Sequence, residues 1–203
     1  MTEAPTQDQQ EIKVRERLLS AATGLFVCKG YAATTVREIV GAAGVTKPAL
    51  YYYFRNKEGI YLELMRESLA KFETLLDTPR SKTGPASSKI LTLCDDLMVL
   101  LSENLQVARF IYAIYYGPPQ GAPSFDCDVF HFQLQDTVQE LINEGISKGE
   151  FRDGNAPDMT WAILGATNIA ISTELPHPDM ALGRKGLARV LNVIFDGLRV
   201  TAS

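Results

Sequence analysis

The sequence predicts an all-α protein of about nine helices, and three observations carry that expectation. Apolar residues recur at three- and four-residue steps along most of the 203-residue chain. No segment shows the strict apolar–polar alternation of a half-buried strand. Glycines, prolines and capping residues fall between the periodic runs, where helices start and stop.

In chain order, residues 1–8 are expected to be a disordered arm. From Gln9 to Lys29, Ile12, Leu18, Leu19, Ala22, Leu25 and Phe26 mark an amphipathic helix ending at Gly30. Thr35-Val36-Arg37-Glu38 has capping-box spacing, so a second helix starts there and buries Ile39, Val40 and Ala43. Gly44 suits the left-handed turn that ends it. Thr46 is an N-cap candidate for a third helix, and Pro48 sits in its first turn, where a missing N–H costs little. Two short helices joined by a glycine turn form a helix-turn-helix, whose second helix can enter a DNA major groove.

Arg55-Asn56 reads as a short turn, with Asn56 capping a long helix from Lys57 to about Asp77. Thr78–Ser88 is rich in Pro, Ser and Gly and reads as a boundary loop. A helix around Ile90–Leu101 is apolar nearly all round and therefore buried. A short helix over Leu105–Tyr116 is stopped by Gly117-Pro118-Pro119. Further helices are expected from about Ser124 to Lys148, over Pro157–Thr173 and over Ala181–Val200, with Gly149–Gly154 a tight connection.

The net charge of −4 is unusual for a protein that meets DNA, but it is unevenly spread. Residues 1–80 are close to neutral, residues 81–203 are acidic, and the stretch 29–57 holds five bases (Lys29, Arg37, Lys47, Arg55, Lys57) against Glu38. The polar N-terminus lacks the basic-then-apolar build of a signal peptide, and no run of about 18 apolar residues exists to span a membrane. Cytoplasm is the expected compartment. Cys28, Cys94 and Cys127 are far apart and odd in number, which points to reduced thiols, with Cys94 a buried small hydrophobe. His131 and His177 lie near no cysteine in sequence, so no metal or other cofactor is expected. No nucleotide-binding, nucleophile-elbow or zinc-protease motif is present, which argues against an enzyme.

The run AGVTKPALYYYFRNKEGIY resembles the segment that closes the DNA-binding domain of the TetR/AcrR family of transcriptional regulators, a likeness closest over Arg15–Met65. It implies a helix-turn-helix domain over 9–56, with the motif at about 35–54. A ligand-binding and dimerisation bundle over 57–203 would follow, linked by the 57–77 helix. Thr35 can offer its hydroxyl and helix N-terminus to a phosphate, and Arg37 lies in the first turn of the same helix. Thr46 and Lys47 open the recognition helix, where bases or phosphates are met. Pro48 and Ala49 offer only apolar contact, for instance to a thymine methyl. Tyr51, Tyr52 and Lys57 resemble the family's backbone and base contacts, while Tyr53 could face the core or the DNA.

Two further groups follow from the resemblance. Phe72, Met98, Phe110, Tyr112, Tyr115, Phe130 and Trp161, with His131 and Asn168 as polar fixings, are expected to line a pocket for an apolar or aromatic inducer; the alternative is plain core packing. The last two helices, through Trp161, Ala166, Ala170, Leu187, Leu191, Ile194 and Leu198, are expected to form a homodimer interface; here the alternative is intramolecular core. The expected function is a ligand-responsive regulator, a repressor released from a near-palindromic double-stranded operator by a small molecule. Two alternatives stand beside it: a helical interaction protein whose Lys29–Lys57 patch binds an acidic partner, and a DNA-binding regulator that needs no ligand.

Overall fold

The computed structural model describes residues 7–117 and 121–200. Nine α-helices occur among them: α1 (Gln7–Lys29), α2 (Val36–Ala43), α3 (Lys47–Phe54), α4 (Lys57–Ser81), α5 (Ala86–Glu103), α6 (Leu105–Tyr116), α7 (Asp128–Ser147), α8 (Ala156–Glu174) and α9 (Gly183–Leu198). A 3₁₀ turn over Pro178–Met180 precedes α9, and one isolated antiparallel bridge pairs Phe151 with Arg199. No strand occurs among the described residues, as the missing alternation foretold. Most of the arm expected over 1–8 lies outside the described residues, and α1 already begins at Gln7; Pro118 and Pro119 lie outside them too.

Two compact units divide the chain, one of residues 1–68 with 106–126 and one of 69–105 with 127–203. The first takes in α1 to α3, the start of α4 and, from farther along the chain, α6. Leu18, Ala22 and Phe26 of α1, Ile39 and Val40 of α2, Leu50 and Phe54 of α3 and Ile60, Tyr61 and Met65 of α4 are all buried. Phe110 of α6 completes this core. Its ring stacks on Phe26 at 5.4 Å and meets Tyr61 edge-on at 5.7 Å, while Tyr31 lies 5.3 Å from both Phe26 and Tyr61. Each such ring pair adds about 0.5–1.5 kcal/mol beyond the area it buries.

The second unit packs α5, α7, α8 and α9 around Ile90, Leu93, Val138, Ile142, Ile163, Leu187, Leu191 and Phe195. Phe151 stacks on Phe195 at 5.8 Å. A Cβ at position 145 would lie 2.2 Å from the Phe151 ring, so Gly145 is what lets that ring close on α7. Pro85 precedes α5 without a side-chain cap, and Glu150 supplies one from far along the chain. Its carboxylate accepts from the Ala86 N–H at 2.5 Å and the Ser87 N–H at 3.0 Å, satisfying donors that the helix start leaves open. Cys94 is buried, and burial pushes its thiol up to about 11, so it is inert as a nucleophile.

Three boundaries differ from expectation. α4 runs on to Ser81 with Pro79 inside it, so the expected loop shrinks to four residues. A proline so near the end removes a single donor, and Arg80 secures the last turn by pairing with Glu140 at 3.0 Å. α7 starts later than expected, at Asp128, and α9 starts at Gly183.

Candidate nucleic-acid interface

The helix-turn-helix is fixed at each joint by a specific backbone device. Thr35 takes extended geometry, its Oγ1 accepts from the Glu38 N–H at 3.3 Å, and the Glu38 carboxylate accepts in return from the Thr35 N–H at 2.9 Å. Both halves of the capping box are therefore made. At the other end Gly44 has φ 62°, its N–H reaches the Gly41 carbonyl at 3.2 Å, and the Val45 N–H reaches the Val40 carbonyl at 3.0 Å. That pair of bonds is a Schellman ending, which turns the chain toward α3. The Arg17 guanidinium donates to the Gly44 carbonyl at 3.1 Å, tying α1 to the turn.

Thr46 occupies the N-cap of α3 with extended geometry, yet its side chain makes no capping hydrogen bond. The first turn of α3 thus keeps open N–H donors at the positive end of the helix dipole, an arrangement that favours a phosphate oxygen. Thr35, Arg37, Thr46, Lys47, Pro48, Tyr51 and Tyr52 are all exposed, Tyr52 at 73% and Tyr51 at 50%. Ala49 is half-buried, as is Tyr53, whose ring packs 4.9 Å from Tyr52 and 6.2 Å from Phe54.

Lys57 is placed differently from its neighbours. Its ammonium donates to the Tyr31 and Thr34 carbonyls, both at 2.8 Å, and sits 4.0 Å above the centre of the Tyr31 ring. Burial, and secondarily the charge of Lys29, hold it below the usual lysine value. Lys57 therefore clamps the α1–α2 connection with two of its three donors. Lys29 is also engaged, 2.5 Å from Glu38. Its hydrogen bond, then those from Thr35, hold the Glu38 carboxyl at about 2. Of the five bases in the stretch, Arg37, Lys47 and Arg55 are exposed and make no salt bridge among the described residues.

The turn expected at Arg55-Asn56 is present between α3 and α4, but its form and the need for Gly59 were not read from the sequence. Arg55 has φ 62° and ψ −39°, and the Asn56 N–H donates to the Phe54 carbonyl at 2.7 Å, which makes a γ-turn of the rare positive-φ kind. Asn56 caps α4 as expected, its Oδ1 accepting from the Gly59 N–H at 2.7 Å. A Cβ at Gly59 would fall 2.0 Å from the Phe54 carbonyl oxygen. A glycine in the first turn of a helix, where nothing in the periodicity asks for one, was the available signal. Arg15 braces the same corner, 2.5 Å from Glu63 and 2.6 Å from Glu67, with its guanidinium over the Phe54 ring.

Residues 18–64, which hold α2, α3 and the joints on either side of them, match the bacterial regulatory proteins of the tetR family. That segment is a tetR-family DNA-binding domain. It is similar to the HTH-type transcriptional repressor KstR2 of Mycolicibacterium smegmatis, with 25% identity over 200 residues covering 94% of this chain and 95% of the relative. Its fold is like that of the MbdR regulator from Azoarcus sp. CIB, with 24% identity and a TM-score of 0.73 over 92% of this chain and all of the other. It is also like SmeT, solved as a complex with triclosan, with 16% identity and a TM-score of 0.72 over 93% of each chain. With that domain, and with regulators as its relatives along most of its length, the chain is a DNA-binding transcriptional regulator and not an enzyme. Among its described residues no single helix is long and apolar enough to cross a membrane.

The residues expected to form a ligand pocket are not all brought together. Phe110, Tyr112 and Tyr115 belong to the first unit, where Phe110 is core and the Tyr112 and Tyr115 rings each approach Tyr116. In the second unit Phe72 meets Phe130 edge-on at 5.4 Å, His131 lies 6.1 Å from Trp161, and Asn168 is half-buried. A cavity of about 100 Å³ opens elsewhere in that unit, and of the nine expected residues only Met98 lines it. The expected dimer residues also divide. Ala170, Leu187, Leu191 and Leu198 are buried inside the unit, Ala166 and Ile194 are half-buried, and Trp161 is 54% exposed. Ile169 and Val193, unnamed at the sequence level, are more exposed still, at 64% and 73%.

Proposed function

We propose that the chain is a homodimeric repressor that leaves a near-palindromic operator when a small molecule binds its second unit. The observation that carries the DNA half of this reading is the uncapped N-terminus of α3, flanked by exposed Thr46 and Lys47 and followed by exposed Tyr51 and Tyr52. Small apolar residues at Pro48 and Ala49 leave few base-reading groups, so affinity rests mainly on phosphates and falls steeply with salt. The DNA-reading domain spans 9–56 and the ligand-binding and dimerisation domain 57–203. α4 contributes to both compact units, and ligand occupancy reaches α3 through it. Coupling of about 1–3 kcal/mol gives a useful switch. The SmeT–triclosan complex supports a small-molecule effector in a protein of this fold.

Dimerisation is supported by the outer faces of α8 and α9, where Trp161, Ile169, Val190 and Val193 stand exposed. Apolar side chains grouped on two neighbouring helices suit a two-fold, self-complementary interface. Two such subunits present two α3 helices, which accounts for a near-palindromic site. The test is fluorescence anisotropy with the DNA upstream of the gene, in the presence of unrelated competitor. Specific binding is expected, and binding abolished by any DNA in excess would defeat the reading. Ile169→Arg is expected to give monomers in sedimentation and to lose specific binding; an intact dimer would remove α8 from the interface.

A further inference from the structure

The cavity in the second unit carries a chemical demand of its own. Its walls are Met98, Leu101 and Leu105 on one side and Ile171 and Leu175 on the other, with Ser102 and Glu174 as the polar side chains. Glu174 closes α8, and its Oε2 is shut off from solvent without a hydrogen-bond partner. Among the described residues no base forms a salt bridge with it. A carboxylate in the last turn of a helix also faces the negative end of the helix dipole, so its setting is unfavourable twice over. The Ser102 hydroxyl spends its proton on the Met98 carbonyl at 2.7 Å, which leaves only lone pairs for anything in the cavity. Both polar side chains thus accept and neither donates, and the one ionisable group is an acid.

We infer that this cavity binds a small organic cation, an ammonium carried on a compact apolar body, with Glu174 as its counter-ion and Ser102 as a second acceptor. The ammonium supplies the donors and the positive charge that the site lacks, and the apolar body fills the space among Met98, Leu101, Leu105, Ile171 and Leu175. At about 100 Å³ the cavity is smaller than the roughly 150 Å³ that holds benzene, so a short alkyl chain is the scale that fits here. This names the ligand class for the regulator proposed above, and its effect on DNA rests on that reading.

Calorimetric titration of the full chain with propylammonium and with its neutral isostere 1-propanol tests the inference. The wild type is expected to take propylammonium about ten-fold or more tighter, the scale of one charge-assisted hydrogen bond. Glu174→Gln is expected to lose that preference while melting no lower than the wild type, since it removes a charge that has no partner. Equal affinity for the two compounds, a preference that survives in Glu174→Gln, or no heat from millimolar propylammonium overturns the site. Anisotropy on upstream DNA separates this failure from that of the broader reading. Propylammonium binding that depends on Glu174 but leaves DNA affinity unchanged upholds the site and removes its inducer role. DNA release by a neutral compound, with no propylammonium heat, upholds the inducer role and overturns the cation site.

Discussion

The two units differ in what they leave without a salt bridge: exposed bases in the first, a carboxylate with a buried oxygen in the second. In the first, Arg15, Arg17, Lys29, Glu38 and Lys57 are each spent on a backbone carbonyl, a capping box or an opposite charge, and every one of them fixes a joint around α2 and α3. In the second, Glu150, Lys89 and Arg184 are spent likewise, on the α5 N-terminus, Glu144 and Asp95, but Glu174 keeps a buried oxygen unpaired beside a cavity. A surface that must match a fixed spacing of phosphates gains from joints that are fully satisfied. A site that must respond gains from one group whose partner is absent until a ligand arrives.

The largest expected effect falls on the ring that expectation and structure assign to different roles. Phe110→Ala removes a buried ring from the first unit and should cost about 3–5 kcal/mol in urea denaturation, with DNA binding lost in step. A change below about 1 kcal/mol would take Phe110 out of that core. Next comes Lys57→Ala, which strips two carbonyls of an ammonium donor. It should lower stability by about 1–3 kcal/mol with no DNA present. If its third donor also meets a phosphate, binding weakens equally across sequences and the salt dependence flattens by roughly one unit of slope. Altered sequence preference would instead make Lys57 a base reader. The smallest effect is one of pH. The Glu38 carboxyl is held at about 2 against an ordinary 4.5, so it adds stability that is fully present above 4.5 and is lost as pH falls from there toward 2. Glu38→Gln should flatten that acid limb of the melting profile; an unchanged limb would mean that Lys29 and Thr35 do not hold the carboxylate in solution.

What the sequence made legible was whatever short-range chemistry decides. Thr35 and Glu38 are three residues apart, Gly44 needs its own φ, and Asn56 caps a turn it belongs to, so each could be read before any fold was known. Lys57 could not, because its partners Tyr31 and Thr34 are 26 and 23 residues away and no local pattern announces them. The same holds for Glu150, which caps a helix some 64 residues upstream. The outward face of α8 was only partly legible, for a different reason. That helix is apolar on most sides, so periodicity does not separate Ile163, which is buried, from Ile169, which is not. The aromatic residues from Phe72 on were grouped by the resemblance, and a likeness closest over Arg15–Met65 cannot tell that α6 belongs to the first unit.

That last assignment bears on how the protein is made and how it can be cut. The first unit is discontinuous: residues up to 68 are completed only by 106–126. During synthesis the reading head must wait for all of α5 to emerge before Phe110 can close over Phe26 and Tyr61. A fragment ending within α4 would keep every exposed residue of the helix-turn-helix and still lack the last ring of its core. The helix-turn-helix is a contiguous motif, but the body that supports it is not a detachable module.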